Sequence, residues 1–373
     1  MSTVRFARPA EFHKALYSRV RHHLKDASIP KDGGARIITK TALIFALFFG
    51  SYVGLVFWAD TALSVMAMAF LLSQAIVLIG FNVMHDAGHG AFSSQRWVNR
   101  LVGLSLDLIG GSQWLWRHKH GVLHHRYTNL EAFDDDLDTG GLIRMHPDQD
   151  WSPVHRYQAF YAIPLYTMLY PLWVVKDVPE FIRRTIGRHD IGHAPSLKDT
   201  LLFFGFKANF VFWALVVPMT LHTWYVALLV FIGIQMVVSL ILALVFQFAH
   251  VVDGVEMPSL SEGDLYGGAV EEQWALHQIS TTANFAIHNP FVRWYAGGLN
   301  CQIEHHLFVG ISHVRYPHVQ PIVEQTCADF GVTYRTYPTV RAAFAAHMRQ
   351  LVAMSRQPEV APAPATAGTP TPA

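Results

Sequence analysis

Histidine is the residue of this sequence best suited to chemistry, with 22 copies among 373 residues. Three clusters stand out: His85-Asp-Ala-Gly-His89, His120-Gly-Val-Leu-His124-His125 and Gln302-Ile-Glu-His305-His306. Residues four apart lie on one face of an α-helix, so the two imidazoles of the first cluster can point at one ion. Adjacent histidines are rotated by about 100° around a helix and can serve two neighbouring sites. The pattern predicts an imidazole-rich metal site.

Solvated histidines, a catalytic zinc and a soluble-type di-iron site agree less well with these clusters. A pair of solvated surface histidines accounts for any single cluster equally well, but not for three clusters on one predicted side of a membrane. Catalytic zinc takes about three protein ligands, commonly from H-E-x-x-H, and soluble di-iron bundles use Glu-x-x-His pairs; neither motif occurs here. Because imidazole also suits iron, copper and nickel, we interpret the clusters as a dinuclear site at a membrane surface.

The composition predicts an integral membrane protein. Hydrophobic residues make up 51% of the chain and charged residues 15%, whereas a soluble domain carries about 25% charged residues. The formal net charge of +1 gives no indication of nucleic-acid binding. The two cysteines, Cys301 and Cys327, form no zinc ribbon, redox motif or disulfide framework.

Apolar stretches predict four transmembrane helices in two tight hairpins, at about residues 41–58, 61–83, 201–221 and 224–248. The hairpin tips carry no Lys or Arg, so the positive-inside rule places both tips away from the cytoplasm. Both termini and all three histidine clusters are then cytoplasmic, in a bacterial inner membrane. Two further apolar segments, 101–111 and 159–175, are interrupted or short and are predicted to lie at the interface or to be partly re-entrant.

The histidine boxes, in this order around two hairpins, resemble the membrane fatty acid desaturases. The stretches WRHKHGVLHHRYTN, HQISTTANF and GGLNCQIEHHLF are similar to the front-end or acyl-CoA branch, whose third box opens with glutamine. The resemblance covers roughly residues 40–345. It implies an all-α integral membrane protein, with four transmembrane helices in two hairpins and a cytosolic helical cap that holds a histidine-rich di-iron site.

On this basis the chain divides into three parts: a polar, basic cytosolic segment at 1–40, a desaturase domain at 41–345, and a C-terminal end at 346–373 whose Pro/Ala-rich tail is expected to be disordered from about residue 358. The activity implied is insertion of a cis double bond into a fatty acyl chain. It would use two Fe²⁺ per chain, with O₂ as co-substrate.

The resemblance also assigns residues. The family's iron ligands match His85, His89, His120, His124, His125, His305 and His306. Gln302 matches a position that is histidine in other branches and would be a weak or water-mediated ligand. Two further candidate ligands are His277, between the last helix and the third box, and His250, at the end of the fourth apolar stretch. Hydrogen bonds that orient the ligands are expected from Asp86, Asn129 and Glu304.

Several side chains near the boxes have two interpretations. The acidic run at 134–138 either orients the ligands or is an exposed loop. Arg117, Lys119 and Arg126 either hold a phosphate of the substrate or only obey the positive-inside rule. Histidines outside the boxes, namely His22, His23, His189, His193 and His347, are expected to be solvated.

The expected partners are a fatty acyl substrate, as acyl-CoA or glycerolipid, the membrane lipid and an electron donor. The sequence contains no His-Pro-Gly-Gly haem motif, so the donor is expected on a separate chain, either ferredoxin or cytochrome b5 with its reductase. A hydroxylase with the same metal site is the alternative, because ligand motifs do not distinguish the two outcomes. A metal transporter is disfavoured, because it would place ionisable residues at mid-membrane.

Overall fold

The computed structural model describes residues 5–8, 10–260 and 269–358. Within them lie four helices long and apolar enough to cross a bilayer, named here the first to fourth spanning helices: Gly34–Trp58, Ala62–Gly88, Leu197–Leu221 and Trp224–His250. The prediction of four such helices is confirmed. The first begins before residue 41, and the second continues past residue 83 into the first histidine box. The tail predicted to be disordered lies almost wholly outside the described residues.

Large apolar side chains cover the outside of the spanning helices. Ile38, Leu63, Leu201 and Leu229 are each more than half exposed, the reverse of a soluble protein's surface, and this arrangement suits contact with lipid. Inside the bundle, apolar side chains of the second and fourth helices share one packed cluster, which includes Leu72, Ile76, Ile79, Ile234 and Val238. This packing fixes the two helix ends that carry His85 and His250.

Three of the spanning helices contain a π-helical turn, at Gly54–Trp58, Ile79–Met84 and Phe212–Val216. The flanking α-helical parts are Gly34–Val53, Ala62–Leu78, His85–Gly88, Leu197–Val211 and Val217–Leu221. The turn at Ile79–Met84 lies directly before His85. Isolated π turns widen a helix by one residue and are frequent at functional sites.

Short helices outside the bundle cover the end where the histidines lie. They are Glu11–Asp26, Arg96–Gly103, Ser105–Leu108, Gln113–His118 (continued by a π turn, Lys119–His124), Asp135–Leu137, Pro153–Tyr157, Gln158–Tyr166, Leu169–Arg183, Trp274–Ser280, Pro290–Tyr295, Gln302–Leu307, His313–Arg315, Tyr316–Asp329 and Val340–Ser355. The described strands pair in twos: Arg5–Ala7 parallel to Ala269–Gln273, Thr185–Ile186 antiparallel to His189–Asp190, and Asn284–Phe285 parallel to Thr336–Tyr337.

The N-terminal segment contains a packed helix, Glu11–Asp26. Its apolar residues recur every fourth position, at Phe12, Leu16, Val20 and Leu24, and all four are buried. They share a cluster with Val319 and other side chains of the helix Tyr316–Asp329. The polar, basic composition of residues 1–40 therefore conceals an amphipathic helix that is part of the cap.

The two interrupted apolar segments form short helices at the bundle surface. The break at Thr167 and Met168 separates Gln158–Tyr166 from Leu169–Arg183. The latter helix packs on the fourth spanning helix, where the backbone N–H of Tyr170 donates to Ser239 Oγ at 3.0 Å. Large apolar side chains such as Phe160 and Val175 remain exposed, as in helices that lie at a membrane surface.

Candidate metal centre

The fold brings the histidines of all three boxes together in two adjacent groups. Within each group the candidate ligand atoms lie within 4.8 Å of one another. The first histidine group consists of His85, His89, His120 and His305, and the second of His124, His250 and His306. These residues come from the second and fourth spanning helices, the helical segment that leads through the second box, and the helix Gln302–Leu307. All but the half-buried His89 are buried.

His125 lies between the two groups. Its Nε2 is 3.1 Å from Nε2 of His120 in the first group. Its ring centroid is 4.6 Å from that of His305 and 4.4 Å from that of His306. His125 can therefore contribute a ligand nitrogen to either group.

A π turn in the second box produces this arrangement. The backbone N–H of His125 donates to the carbonyl of His120 at 3.1 Å, which is a hydrogen bond across five residues rather than four. The wider turn brings the rings of His120 and His125 next to each other. His124 is turned toward the second group, where its ring centroid is 4.7 Å from that of His250.

The third box divides its two histidines between the groups. His305 and His306 are successive residues of a helix and point in directions about 100° apart. Gln302, one turn earlier, places its side-chain nitrogen 2.8 Å from Nε2 of His250 and 3.4 Å from Nε2 of His306. The glutamine therefore lies beside the second group, whichever way its amide is oriented.

The donor set fits metal ions. Nε2 of His89, His124 and His305 is buried and has no hydrogen-bond partner within the described part of the chain, although buried polar atoms are normally bonded. Nε2 of His85 and of His120 are only 3.2 Å apart. Two nitrogens that bind one ion at about 2.1 Å each are separated by roughly this distance. The histidine groups can hold metal ions.

The electrostatics keep most of these imidazoles neutral. Burial, and next the neighbouring imidazoles, hold the pKa values of His89, His120, His125, His305 and His306 well below their ordinary value. A neutral imidazole keeps a lone pair on one nitrogen, which a metal ligand requires.

Hydrogen bonds made by Nδ1 orient several of the rings. Nδ1 of His124 lies 3.1 Å from Oδ2 of Asp134, and Nδ1 of His305 lies 3.1 Å from the hydroxyl of Tyr316. Nδ1 of His306 lies 2.7 Å from Oε1 of Gln278. Each bond leaves Nε2 directed into its group, as in metal sites where a second hydrogen bond fixes the ring.

Asp134 also changes the acidity of His124. Burial lowers the pKa of His124, but the carboxylates of Asp134 and, to a smaller extent, Asp136 together outweigh this effect and raise the pKa above its ordinary value. Asp134 is buried, so this part of the acidic run orients a histidine and is not an exposed loop. Sequence reasoning missed Gln278 and Tyr316; the one available signal was that Gln278 directly follows His277.

Asp86, predicted to orient a ligand, instead contacts the loop after the third box. Its carboxylate accepts from Ser312 Oγ at 2.5 Å and lies 3.0 Å from Nδ1 of His313. This buried contact ties the first box to the segment that follows the third box.

Asn129 and Glu304 likewise bind the segments that carry the histidines. The Asn129 amide donates to the carbonyls of His250, Glu256 and Thr281 at 3.0–3.3 Å. The Glu304 carboxylate accepts from Asn284 and from the hydroxyl of Tyr334, both at 2.8 Å. Their contribution is to the backbone positions of the boxes.

Two other histidines have different outcomes: His277 stays a predicted ligand, and His347 is not solvated as expected. His277 is buried but lies outside both groups, with its ring centroid 5.0 Å from that of Phe6; its role as a ligand stays a prediction. The expectation that His347 is solvated is wrong. His347 is buried, with Nε2 2.9 Å from the Tyr166 hydroxyl and Nδ1 2.6 Å from the Val251 carbonyl oxygen.

The fold and the site define a membrane protein with buried histidine groups that can hold metal ions. The sequence model of the fatty acid desaturase family matches residues 58–338. The chain is 34% identical over 362 residues to an sn-1 linoleoyl-lipid 6-desaturase of Arthrospira platensis, which covers 96% of each chain. It is 32% identical to the enzyme of that name from Synechocystis sp., over 95% of this chain and 98% of the relative.

A third relative is the acyl-lipid (8-3)-desaturase of Physcomitrium patens, 33% identical over 91% of this chain and 71% of the relative. The chain belongs to the fatty acid desaturase family. It is accordingly an oxidoreductase of the membrane that desaturates fatty acids.

Proposed function

We propose that the two histidine groups each hold one iron ion, and that the enzyme uses O₂ to place a cis double bond in an acyl chain carried by a membrane lipid. The observation that carries this proposal is the pair of adjacent groups, whose nitrogens lie within 4.8 Å of one another in each. The proposed ligands are His85, His89, His120, His124, His125, His250, His305 and His306, with Gln302 as a weak or water-mediated ligand of the second group.

Iron ions held by these histidines would supply the oxidising power of O₂. In the overall reaction the acyl chain loses two hydrogens from neighbouring carbons. O₂ takes up these hydrogens together with two electrons and two protons, and two water molecules form. The chain's own side chains bind and orient: Asp134, Gln278 and Tyr316 fix the imidazoles, and Asn129 holds the end of the fourth spanning helix.

The relatives support a lipid-linked substrate. Two of them are named for a linoleoyl group at the sn-1 position of a lipid and for position 6 of the chain. We therefore propose an acyl-lipid rather than acyl-CoA substrate, desaturated on the carboxyl side of existing double bonds.

The two electrons are proposed to come from a separate ferredoxin, or from cytochrome b5 with its reductase. The proposed location is a bacterial inner membrane with the histidine groups on the cytoplasmic side. The absence of Lys and Arg from both hairpin tips supports this orientation.

The test is a fatty-acid profile, with double-bond positions mapped by mass spectrometry, from a host that expresses the wild type, His306→Ala or a matched control. His23→Ala is the control, since His23 is exposed. A new unsaturated acid with the wild type and the control, but not with His306→Ala, is expected. New hydroxy acids would instead favour the hydroxylase.

A host that lacks the electron donor would give no new product, so the iron content of the purified protein is measured in parallel. About two irons per chain are expected. A wild-type protein without iron would contradict the ligand assignment.

A further inference from the structure

A cleft of about 620 Å³ opens beside the first histidine group, and His89 forms part of its wall. Four cationic side chains line the same cleft: Lys31, Arg96, Arg100 and Arg117. One acidic residue, Asp32, also lines it. Positive charge is therefore in excess next to the proposed iron site.

Among the described residues, the four cations form no salt bridge. In the described part of the chain, none of them has a carboxylate oxygen within 4.0 Å of its side-chain nitrogens. Burial lowers the pKa of Arg117 and the positive charge of Arg100 lowers it further, while the carboxylates of Asp107 and Asp199 partly oppose this shift. Like charges that face a shared concave surface repel each other, and an anion between them removes that cost.

Other cations near the second box are already engaged. Lys119 lies 3.1 Å from carboxylate oxygens of both Asp135 and Asp136, and Arg126 lies over the ring of Tyr127. Of the three basic residues singled out in the sequence, Arg117 alone lines the cleft. Among these three residues, Arg117 is therefore the one available to an anion in the cleft.

The helix Arg96–Gly103 indicates where the cleft lies relative to the membrane. Trp97 and Leu101, four residues apart, are 66% and 60% exposed, while Arg96 and Arg100, also four apart, line the cleft. An exposed apolar stripe with an aromatic residue beside a basic stripe is typical of a helix at the membrane–water interface. Lipid phosphates lie at this level.

We propose that the cleft binds a phosphate group of the molecule that carries the acyl chain. This inference rests on the proposed desaturase function and names the group that anchors its substrate. Because His89 forms the wall of the cleft, a phosphate held there keeps the carboxyl end of the acyl chain near the iron site. The reacting carbons are then counted from the carboxyl end. A concave cleft suits a small anionic group better than the surface of an acidic protein.

The test measures binding to the full-length, iron-loaded protein in neutral detergent. The probes are dioctanoyl phosphatidylglycerol, free coenzyme A and a galactolipid that has no phosphate. The variant is Arg100→Gln with Arg117→Gln. Its control, Arg21→Gln with Lys25→Gln, removes two exposed charges from the N-terminal helix. At least tenfold weaker phosphate-probe binding is expected for the cleft variant alone, with galactolipid binding unchanged.

The probes also identify the source of the phosphate. A loss confined to phosphatidylglycerol supports a phospholipid, and a loss confined to coenzyme A supports acyl-CoA. Equal affinities of the variant and the wild type for both phosphate probes would overturn the inference. If the variant also binds an acidic electron carrier more weakly while its affinity for both phosphate probes is unchanged, the cleft is a docking site for that carrier and the inference is overturned.

Arg100→Lys with Arg117→Lys keeps both positive charges and is expected to bind with near the wild-type affinity, which separates loss of charge from misfolding of the glutamine variant. Binding is measured without turnover. If only this inference fails, the wild type still forms the new double bond in the fatty-acid profile. If the proposed function fails, the wild type forms no new double bond.

Discussion

The interaction between His124 and Asp134 shows how a single carboxylate can orient a proposed metal ligand. The carboxylate accepts from the backbone N–H of Asn129 at 3.0 Å and also lies 3.1 Å from Nδ1 of His124. It therefore holds the imidazole and the chain after the second box at the same time. An amide at this position has only one accepting oxygen and no charge.

Asp134→Asn is expected to lower desaturase activity by about 10- to 100-fold, because partners of ligand histidines commonly have effects of this size. Iron content should fall toward one per chain, since the second group is affected. Asp138→Asn, the same change at an exposed position, is the control. Full activity and iron content in Asp134→Asn would show that the interaction is dispensable.

Gln302 separates two hypotheses about the second histidine group. If its amide contributes to metal binding, Gln302→Ala should lose at least tenfold activity and part of the iron, while Gln302→His should retain the iron. Both variants are compared by metal analysis and by product formation. Wild-type activity in Gln302→Ala would make the glutamine a spacer.

At this scale the sequence predicted the histidines much better than their partners. His85 and His89, like His120 and His124, are recognisable because they lie four residues apart, and the structure brings the two boxes together. Gln278 and Tyr316 have no such pattern. They reach the rings through tertiary packing of distant segments, which spacing along the chain does not encode. His250 required knowledge of where the fourth spanning helix ends.

At the scale of elements, His347 joins three helices. It lies in Val340–Ser355 and contacts Tyr166 of a surface helix and the carbonyl oxygen of Val251 at the end of the fourth spanning helix. Burial lowers the pKa of His347 to about 4, from an ordinary value of about 6.5 in an unfolded chain.

Between pH 6.5 and 4 the unfolded chain therefore binds a proton at His347 that the folded chain does not. Stability should fall as the pH decreases through this window, by up to about 1.4 kcal/mol per pH unit from this residue, and should not depend on it above pH 6.5. The measurement is the melting temperature against pH for the wild type and His347→Gln. The two curves should converge in slope above pH 6.5 and differ below it.

His23→Gln removes an exposed histidine and is the matched control. Identical slopes for the wild type and His347→Gln below pH 6.5 would contradict the argument. Contributions of the other buried histidines cancel in the comparison, because they are common to both proteins.

The N-terminal helix offers a second test at this scale. Leu16 is fully buried, so Leu16→Ala should reduce the free energy of unfolding by about 2–4 kcal/mol through lost contacts and a cavity. A lower melting temperature in detergent and faster hydrogen exchange in residues 316–329 are expected. Arg21→Ala, at an exposed position of the same helix, should change neither. An unchanged melting temperature for Leu16→Ala would rule out a stabilising contact.

The fourfold spacing of Phe12, Leu16, Val20 and Leu24 was present in the sequence, yet the surrounding charges masked it. Apolar runs identify the spanning helices directly, because a bilayer requires about 20 apolar residues in succession. A cap helix leaves only a stripe of four side chains. Its partner, Tyr316–Asp329, lies about 300 residues later, so its destination could not be read from the local pattern.

At the scale of the whole molecule, the proposed orientation can be tested by labelling. Both native cysteines, Cys301 and Cys327, are buried, so background reaction should be low. Asp60→Cys and Thr223→Cys, at the exposed hairpin tips, should react with a membrane-impermeant maleimide in intact cells. Asp138→Cys, exposed at the other end, should react only after the cells are permeabilised. The opposite pattern would place the histidine groups outside the cytoplasm.

The arrangement of the histidines also determines when, during translation, each ligand set becomes complete. The first group combines His85 with His305, and the second combines His124 with His306. The first set is complete only when the ribosome has added residue 305, and the second only when it has added residue 306. A chain that stops after the first hairpin offers only His85 and His89 of the first group. Because metal affinity depends on the assembled ligand set, we expect the proposed iron ions to be loaded late in biosynthesis and truncated chains to bind little metal.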